Sequence, residues 1–158
     1  MTVIVRDVTV ADTLRISEIE DSVFVDPWSA NTFRSLPGDP RVMFVCAAES
    51  GVGLDASDRV VGYVVAIFAA DEGEIANLAV AVEAQGRGVG QVLLDAVIAD
   101  AGRRGTATLY LEVRESNSAA RRLYRSRKFE EVGRRRGYYQ RPTEDALLLR
   151  LSLGSQLK

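Results

Sequence analysis

The chain contains no histidine and a single cysteine, and each scarcity removes a class of chemistry. A catalytic thiol would want an imidazole partner, and none exists. A typical zinc site, built on His and Cys, is not expected either, so no metal is assigned. The one cysteine, Cys46, cannot form an intramolecular disulfide. Its setting, Val42-Met43-Phe44-Val45-Cys46-Ala47-Ala48, reads as a buried strand. No apolar stretch approaches ~20 residues, so no membrane span is expected. The first residues lack the basic region and apolar core of a signal peptide, and the default expectation is a cytoplasmic protein. The formal net charge is only -2, so the total implies neither nucleic acid nor membrane as a partner.

What is present is 158 residues with 47% hydrophobic content, enough for one domain with a real core. That domain is expected over residues 1–153, with 154–158 as a frayed tail. The charges are unevenly spread. Residues 1–100 carry 16 acidic and 6 basic side chains, and residues 101–158 carry 6 acidic and 14 basic. One half could face a cationic substrate and the other a phosphate-bearing ligand; the alternative is an ordinary solvated surface.

Periodicity and punctuation predict a strand at Thr2–Arg6 and a helix start at Thr9 with Asp12. A second, short helix is capped by Ser29, and strands follow near Arg41–Ala48 and Val60–Ala69. Glu49–Arg59, with Gly51, Gly53, Asp55 and Ser57, reads as a mobile hairpin tip. A strand at Glu74–Val82 leads to a helix ending near Gly102. Then come a strand at Thr106–Val113, a helix capped by Asn117 or Ser118, and strands at Phe129–Arg136 and Ala146–Leu153. Strands alternating with helices argue for an α/β domain, a mixed central sheet flanked by helices.

The most informative segment is Gln85-Gly86-Arg87-Gly88-Val89-Gly90. It follows the apolar run Ile75–Val82 and precedes apolar residues at helical spacing, Val89, Val92, Leu93, Ala96 and Val97. Three glycines therefore sit where a strand hands over to a helix. Amides at a helix N-terminus are unpaired and carry positive partial charge, and glycines let a ligand approach them closely. Phosphate or pyrophosphate is the chemistry this suits. The dinucleotide pattern G-x-G-x-x-G fails, because its last position falls on Gln91 or Leu93. A P-loop fails because no Gly-Lys-Ser/Thr follows Gly90. What remains is Q-x-x-G-x-G, which resembles the acyl-CoA pyrophosphate loop of the GCN5-related N-acetyltransferases. A glycine-rich turn with no function is the competing reading.

In Thr108-Leu109-Tyr110-Leu111-Glu112-Val113, strand alternation puts Leu109, Leu111 and Val113 on one face and Tyr110 and Glu112 on the other. A carboxylate in an apolar central strand is costly unless solvated or used, and removal from water moves a carboxylate toward the range of a general base. Alternatively, Glu112 is an edge-strand residue paired with a nearby arginine such as Arg114.

The run Leu111-Glu112-Val113-Arg114-Glu115-Ser116-Asn117-Ser118-Ala119-Ala120-Arg121-Arg122-Leu123-Tyr124 carries more. Together with Asn77-Leu78-Ala79-Val80, Gln85–Gly90, Phe129 and Arg135-Arg136-Gly137-Tyr138-Tyr139, it resembles the bacterial ribosomal-protein N-terminal alanine acetyltransferases. These lie within the GCN5-related fold. The likeness is close over residues 75–150, and reaches the N-terminal half through Asp26-Pro27-Trp28-Ser29. It implies a general base at Glu112 and a general acid at Tyr124. The backbone of Leu78, Ala79 and Val80 would pair with the cofactor's pantetheine arm like an extra strand. The pyrophosphate of acetyl-CoA would rest on Gln85, Gly86, Arg87, Gly88, Val89, Gly90 and Gln91. Asn117 matches a further cofactor contact, and Tyr138 and Tyr139 match a hairpin that walls the peptide-acceptor groove. The family usually has glycine before the Phe at Phe129, where Lys128 stands here. Glycine there is a helix C-cap with positive φ, which lysine adopts only at a cost of about 1 kcal/mol.

Elementary chemistry agrees with these roles. Acyl transfer from a thioester needs a neutral amine and releases a thiolate, so one proton must leave and one must arrive. An α-amine, with a pKa of ~7.7–8.0, is partly neutral at pH 7, whereas a lysine near ~10.4 is almost wholly charged. A tyrosine, near ~10, can protonate a thiolate. Taken without the resemblance, Tyr124 reads as a helix tyrosine covering the core. The basic residues Arg121, Arg122, Arg125, Arg127 and Lys128 read as a solvated helix face or as contacts to a cofactor phosphate. The expectation is an acetyl-CoA-dependent N-acetyltransferase acting by direct transfer on a protein N-terminal amine, on a ribosomal protein by the resemblance. A small-molecule amine or lysine acceptor, or a non-catalytic acyl-CoA-binding module, are the rivals.

Overall fold

Apolar alternation and glycine punctuation resolve into seven strands and four helices in a computed structural model that describes residues 2–51 and 57–154. In chain order these are β1 (Val3–Asp7), α1 (Thr13–Val23), α2 (Ala30–Ser35), β2 (Val42–Glu49), β3 (Arg59–Ala69) and β4 (Glu72–Val80). They continue as α3 (Val89–Arg103), β5 (Thr108–Arg114), α4 (Ser118–Ser126), β6 (Glu130–Tyr139) and β7 (Glu144–Ser152). The strands form one sheet in the order β1-β2-β3-β4-β5-β7-β6. It is mixed, with β4 and β5 parallel and β1–β2, β5–β7 and β6–β7 antiparallel. The α/β class expected from the sequence is what the chain adopts. Residues 52–56 of the expected hairpin tip and 155–158 of the expected tail lie outside the described residues.

By contacts, the chain divides into two compact units, residues 1–66 with 77–99, and residues 67–76 with 100–158. In the first, Ser29 caps α2 by accepting from the Thr32 amide at 3.2 Å. Thr9 and Asp12 open a 3₁₀ turn that runs into α1, with the Thr9 amide donating to Asp12 Oδ2 at 2.9 Å. Ile16 and Ile19 of α1, Phe33 of α2 and Tyr63 of β3 are fully buried. Phe33 and Tyr63 meet edge to face at 5.5 Å, a favoured aromatic geometry. Gly62 has a packing reason: a Cβ there would come 3.0 Å from the Ala79 carbonyl and 3.1 Å from the side chains of Val89 and Leu93 of α3, so these neighbours would have to give way. Leu14 and Val92, apolar members of the helical patterns, face outward instead. Cys46 is buried as expected, and burial pushes its thiol up to about 11.

In the second unit β5 follows the expected alternation, with Leu109, Leu111 and Val113 buried and Tyr110 and Glu112 half-buried between them. Leu147, Leu149 and Leu151 of β7 share the buried side, because the ladder sets Leu111 opposite Leu149 and Val113 opposite Leu147. Glu144 and Asp145, just before the strand expected at Ala146–Leu153, already belong to β7. Ion pairs explain their place. Glu144 accepts from Arg114 at 3.1 Å and from the Ser116 amide at 2.5 Å. Asp145 pairs with Arg134 at 2.8 Å and accepts from the Gly137 amide at 2.9 Å.

Candidate active site

The glycine segment, in the first unit, is shaped by backbone conformation. After β4 a 3₁₀ turn spans Val82–Ala84 and Gln85 is extended. Gly86 and Gly88 then take φ of +79° and +83°, values that disfavour any side chain. The Val92 amide closes on the Gly88 carbonyl at 3.1 Å, so α3 starts there. The amides of Val89, Gly90 and Gln91 therefore have no partner within the helix and lie at its positive end. A Cβ on Gly86 would meet nothing within 4 Å, whereas one on Gly88 would come 3.3 Å from Gln91 Oε1. Gln85 turns back along the chain, its amide nitrogen donating to the Val80 carbonyl at 3.1 Å, which ties the loop to the end of β4. Arg87 is exposed. Along β4, Ala79 is buried and Leu78 and Val80 are half-buried. The ladder with β5 covers Glu72–Glu74 opposite Thr108–Tyr110, which leaves Ile75 to Val80 outside it.

The second unit holds the candidate side chains. Glu112 stands opposite Leu148 in the β5–β7 ladder, with its side chain 18% exposed. Its ion-pair partner is Arg135, Nε to Oε2 at 2.6 Å, not Arg114. Arg114 is occupied with Glu144 and with the Gln140 carbonyl at 2.9 Å, and its guanidinium lies 4.4 Å over the Tyr139 ring. Nor is β5 an edge strand, because it lies between β4 and β7.

Asn117 caps α4, its side-chain oxygen accepting from the Ala120 amide at 3.1 Å. The other end of α4 closes in a Schellman motif: the Phe129 amide donates to Tyr124 and the Lys128 amide to Arg125, at 3.1 and 3.0 Å. Lys128 takes the position that favours glycine, at φ +74°. The ring of Phe129 packs edge to face on Tyr124 at 5.6 Å, so the cap contact and the aim of Tyr124 are one feature. Tyr124 is buried, and burial, with Tyr139 adding to it, pushes its hydroxyl well above the ordinary tyrosine range. Tyr139 is raised to about 12, by burial first and then by the charge of Glu112. Glu112, Tyr139 and Tyr124 thus share one electrostatic neighbourhood. Tyr138, half-exposed, meets Tyr139 edge to face at 5.1 Å.

Two groups escaped the sequence reading. Arg135 sits in a run of three arginines, and nothing in that run marks the one that reaches Glu112. Glu20 is almost fully buried in the first unit. It accepts from the Trp28 amide at 2.9 Å, from Asn77 Nδ2 at 2.7 Å and from the Tyr63 hydroxyl. A signal existed for it, because Glu20 lies four residues after Ile16 on the buried side of α1.

A strand, a glycine turn and a helix offering free amides, with a carboxylate and a buried tyrosine elsewhere in the chain, fit an acyl-CoA transferase. The family model described as the acetyltransferase (GNAT) family matches residues 13–129. The chain belongs to the GNAT family of acetyltransferases. Within it, the chain is 36% identical over 140 residues to the ribosomal protein bS18-alanine N-acetyltransferase of Salmonella typhimurium strain LT2, a match spanning 86% of this chain and 88% of the relative. It is 35% identical over 153 residues to the N-alpha-acetyltransferase RimI of Mycobacterium tuberculosis, covering 92% of this chain and 90% of that protein. The crystal structure of the ribosomal-protein-S18-alanine N-acetyltransferase from Escherichia coli superposes with a TM-score of 0.82 at 31% identity, over 99% of both chains. Arabidopsis thaliana NAA60 in complex with acetyl-CoA shares the fold, with a TM-score of 0.86 at 20% identity. The GNAT chain is thus an acyltransferase enzyme, as the sequence led one to expect.

Proposed function

We propose that this GNAT enzyme transfers the acetyl group of acetyl-CoA to the N-terminal α-amine of a protein, with the alanine N-terminus of a ribosomal protein as acceptor. The two units act as one domain over residues 1–153; the family match draws on residues of both. The observation that carries the acceptor is identity above one third, over most of both chains, to enzymes named as ribosomal protein bS18-alanine N-acetyltransferases.

The residues present suit acetyl-CoA. Gly86 has open space where a Cβ would stand, so a phosphate can approach the loop closely. The amides of Val89, Gly90 and Gln91 are free to donate to it. Leu78, Ala79 and Val80 lie in the part of β4 outside the β5 ladder, which leaves backbone groups to pair with an extended pantetheine arm. Asn117 spends its oxygen on the α4 cap, so its contact to the cofactor would use the amide nitrogen. Acetyl-CoA supplies the activated acetyl thioester.

Glu112 takes the proton from the acceptor amine, directly or through a water, and leaves it nucleophilic. Tyr124 keeps its proton at neutral pH, because burial disfavours the phenolate, and gives it to the departing thiolate. Tyr138 and Tyr139 wall the side from which the peptide enters. Transfer is direct, with both substrates bound and no acyl-enzyme. An α-amine at ~7.7–8.0 asks little of a carboxylate base, whereas a lysine at ~10.4 asks far more. The test is acetyl-CoA consumption with peptides bearing a free N-terminal alanine, with their blocked, lysine-containing counterparts and with simple polyamines. The α-nitrogen should carry the label by mass spectrometry. Label only on lysine or only on small amines overturns the acceptor and leaves the acetyltransferase.

A further inference from the structure

One oxygen of Glu112 is covered. Arg135 Nε lies 2.6 Å from Oε2, yet Oε2 is shut off from solvent with no hydrogen bond. The approach is close but off the line a hydrogen bond needs, so attraction between charges alone holds the pair. The Arg135 side chain is 60% exposed while that of Glu112 is 18% exposed. A pair with one partner in water is held weakly.

The other cation near Glu112 on its own strand is committed: Arg114 is held by Glu144, by two hairpin carbonyls and by the Tyr139 ring. Arg150 of β7 lies two residues along from Leu148, the residue opposite Glu112, and its Nε is buried without a partner. Arg135 is the one with room to move. Its guanidinium carbon is 5.5 Å from the ring of Tyr138, a half-exposed aromatic face. The β6–β7 register also shifts between Arg135 and Tyr139, so the ladder does not lock this stretch.

We infer that Arg135 is the resting counter-ion of Glu112, and that the acceptor enters by exchanging its N-terminal ammonium for the guanidinium. The inference rests on Glu112 being the base. Leaving a largely buried carboxylate with no cation beside it is costly, and the exchange keeps one positive charge there throughout. The two cations differ in one decisive property. A guanidinium does not give up a proton, so Arg135 parks on Glu112 without reacting. An α-ammonium does give one up, and leaves as the neutral amine the reaction needs. Displaced, Arg135 rests on Tyr138. A blocked N-terminus carries no charge to trade and stays out.

Two measurements on the whole enzyme test this. With CoA bound, a peptide with a free N-terminal alanine shifts the Arg135 Nε–H resonance in nitrogen-15 NMR, and the same peptide with its N-terminus acetylated does not. In steady state, Arg135→Gln lowers the acceptor KM about threefold, the scale of an ion pair with one exposed partner. The kcat moves less than KM, acetyl-CoA affinity holds, and Arg135→Lys restores the wild-type KM. A resonance unmoved by saturating free peptide overturns the exchange. So does an unchanged KM, or a KM that rises, which would make Arg135 a grip on the acceptor. Glu112→Gln separates the two ideas: full turnover there removes the base, while movement of Arg135 in the wild type still reports the exchange.

Discussion

The two compact units present their candidate groups by different means. The first offers backbone: amides freed at the start of α3 by two glycines at positive φ, and strand groups of β4 outside the β5 ladder. The second offers side chains: Glu112 on a central strand, Tyr124 on a helix whose cap also packs its ring, and arginines that choose among carboxylates. A backbone site tolerates many residues but is ruined by a Cβ in the wrong place. A side-chain site tolerates little change of identity, yet forgives strain in the chain that carries it. Lys128 is the example, holding a glycine conformation at the end of α4 with the whole Schellman motif intact.

The contrast is sharpest at Glu112. Glu112→Gln keeps the shape and removes the charge, so kcat should fall by about 10²–10⁴-fold while calorimetry finds acetyl-CoA affinity little changed. A loss of affinity in place of rate would mean that Glu112 itself helps to hold the cofactor. Tyr124→Phe removes a hydroxyl and almost no volume. Transfer should slow by about 10²-fold, the low end of general-acid loss, and the defect should shrink with a thioester of a more acidic thiol. Equal single-turnover rates for wild type and variant would end the proton-donor role. Gly88→Val addresses the first unit. A branched side chain at φ +83° brings strain of about 1–3 kcal/mol, and a Cβ there crowds Gln91. Acetyl-CoA binding should weaken by about tenfold or more while the melting curve still reports a folded protein; unchanged affinity would take the loop out of the site.

Smaller effects probe the frame. Asp12 is held near 2, chiefly by the Arg6 hydrogen bond, against an ordinary 3.8. A folded value below the unfolded one stabilises above about pH 4, and that contribution is lost as pH falls through about 2. Asp12→Asn should cost about 1 kcal/mol at neutral pH, reduced from the full shift because Arg6 is partly in water, and only a small fraction of that at pH 2, where the carboxyl is half protonated. Urea titrations at both values measure the difference, and an equal cost at both would assign the effect to packing. Lys128→Gly should raise stability by about 0.5–1 kcal/mol by relieving the left-handed residue, with kcat unaltered if the aim of Tyr124 is already correct. A change in kcat would show that the lysine bends the helix end.

Much of this was legible in the chain because it is local. Alternation along Thr108–Val113 separates Glu112 from the leucines whatever the neighbours do, and β5 buries those residues. Capping is equally local, so Ser29 and Asn117 cap α2 and α4. A strand, a glycine pair and an apolar helix in succession mark the turn, and Lys128 before Phe129 announces a strained cap. Partner choice is not local. Arg114 sits two residues from Glu112 and is the natural guess. Yet the β5–β7–β6 register brings Arg135 to Glu112 and Glu144 to Arg114. Glu20 reads as a surface charge until Trp28, Tyr63 and Asn77, from three other parts of the chain, close around it. The sequence alone determined the fold class and the place of the glycine turn, because periodicity, caps and motif spacing act over a few residues, and its resemblance to a known family marked Glu112 and Tyr124 as candidates. Only the tertiary structure decided which charges meet, because an ion pair depends on register and burial set by strands far apart in the chain.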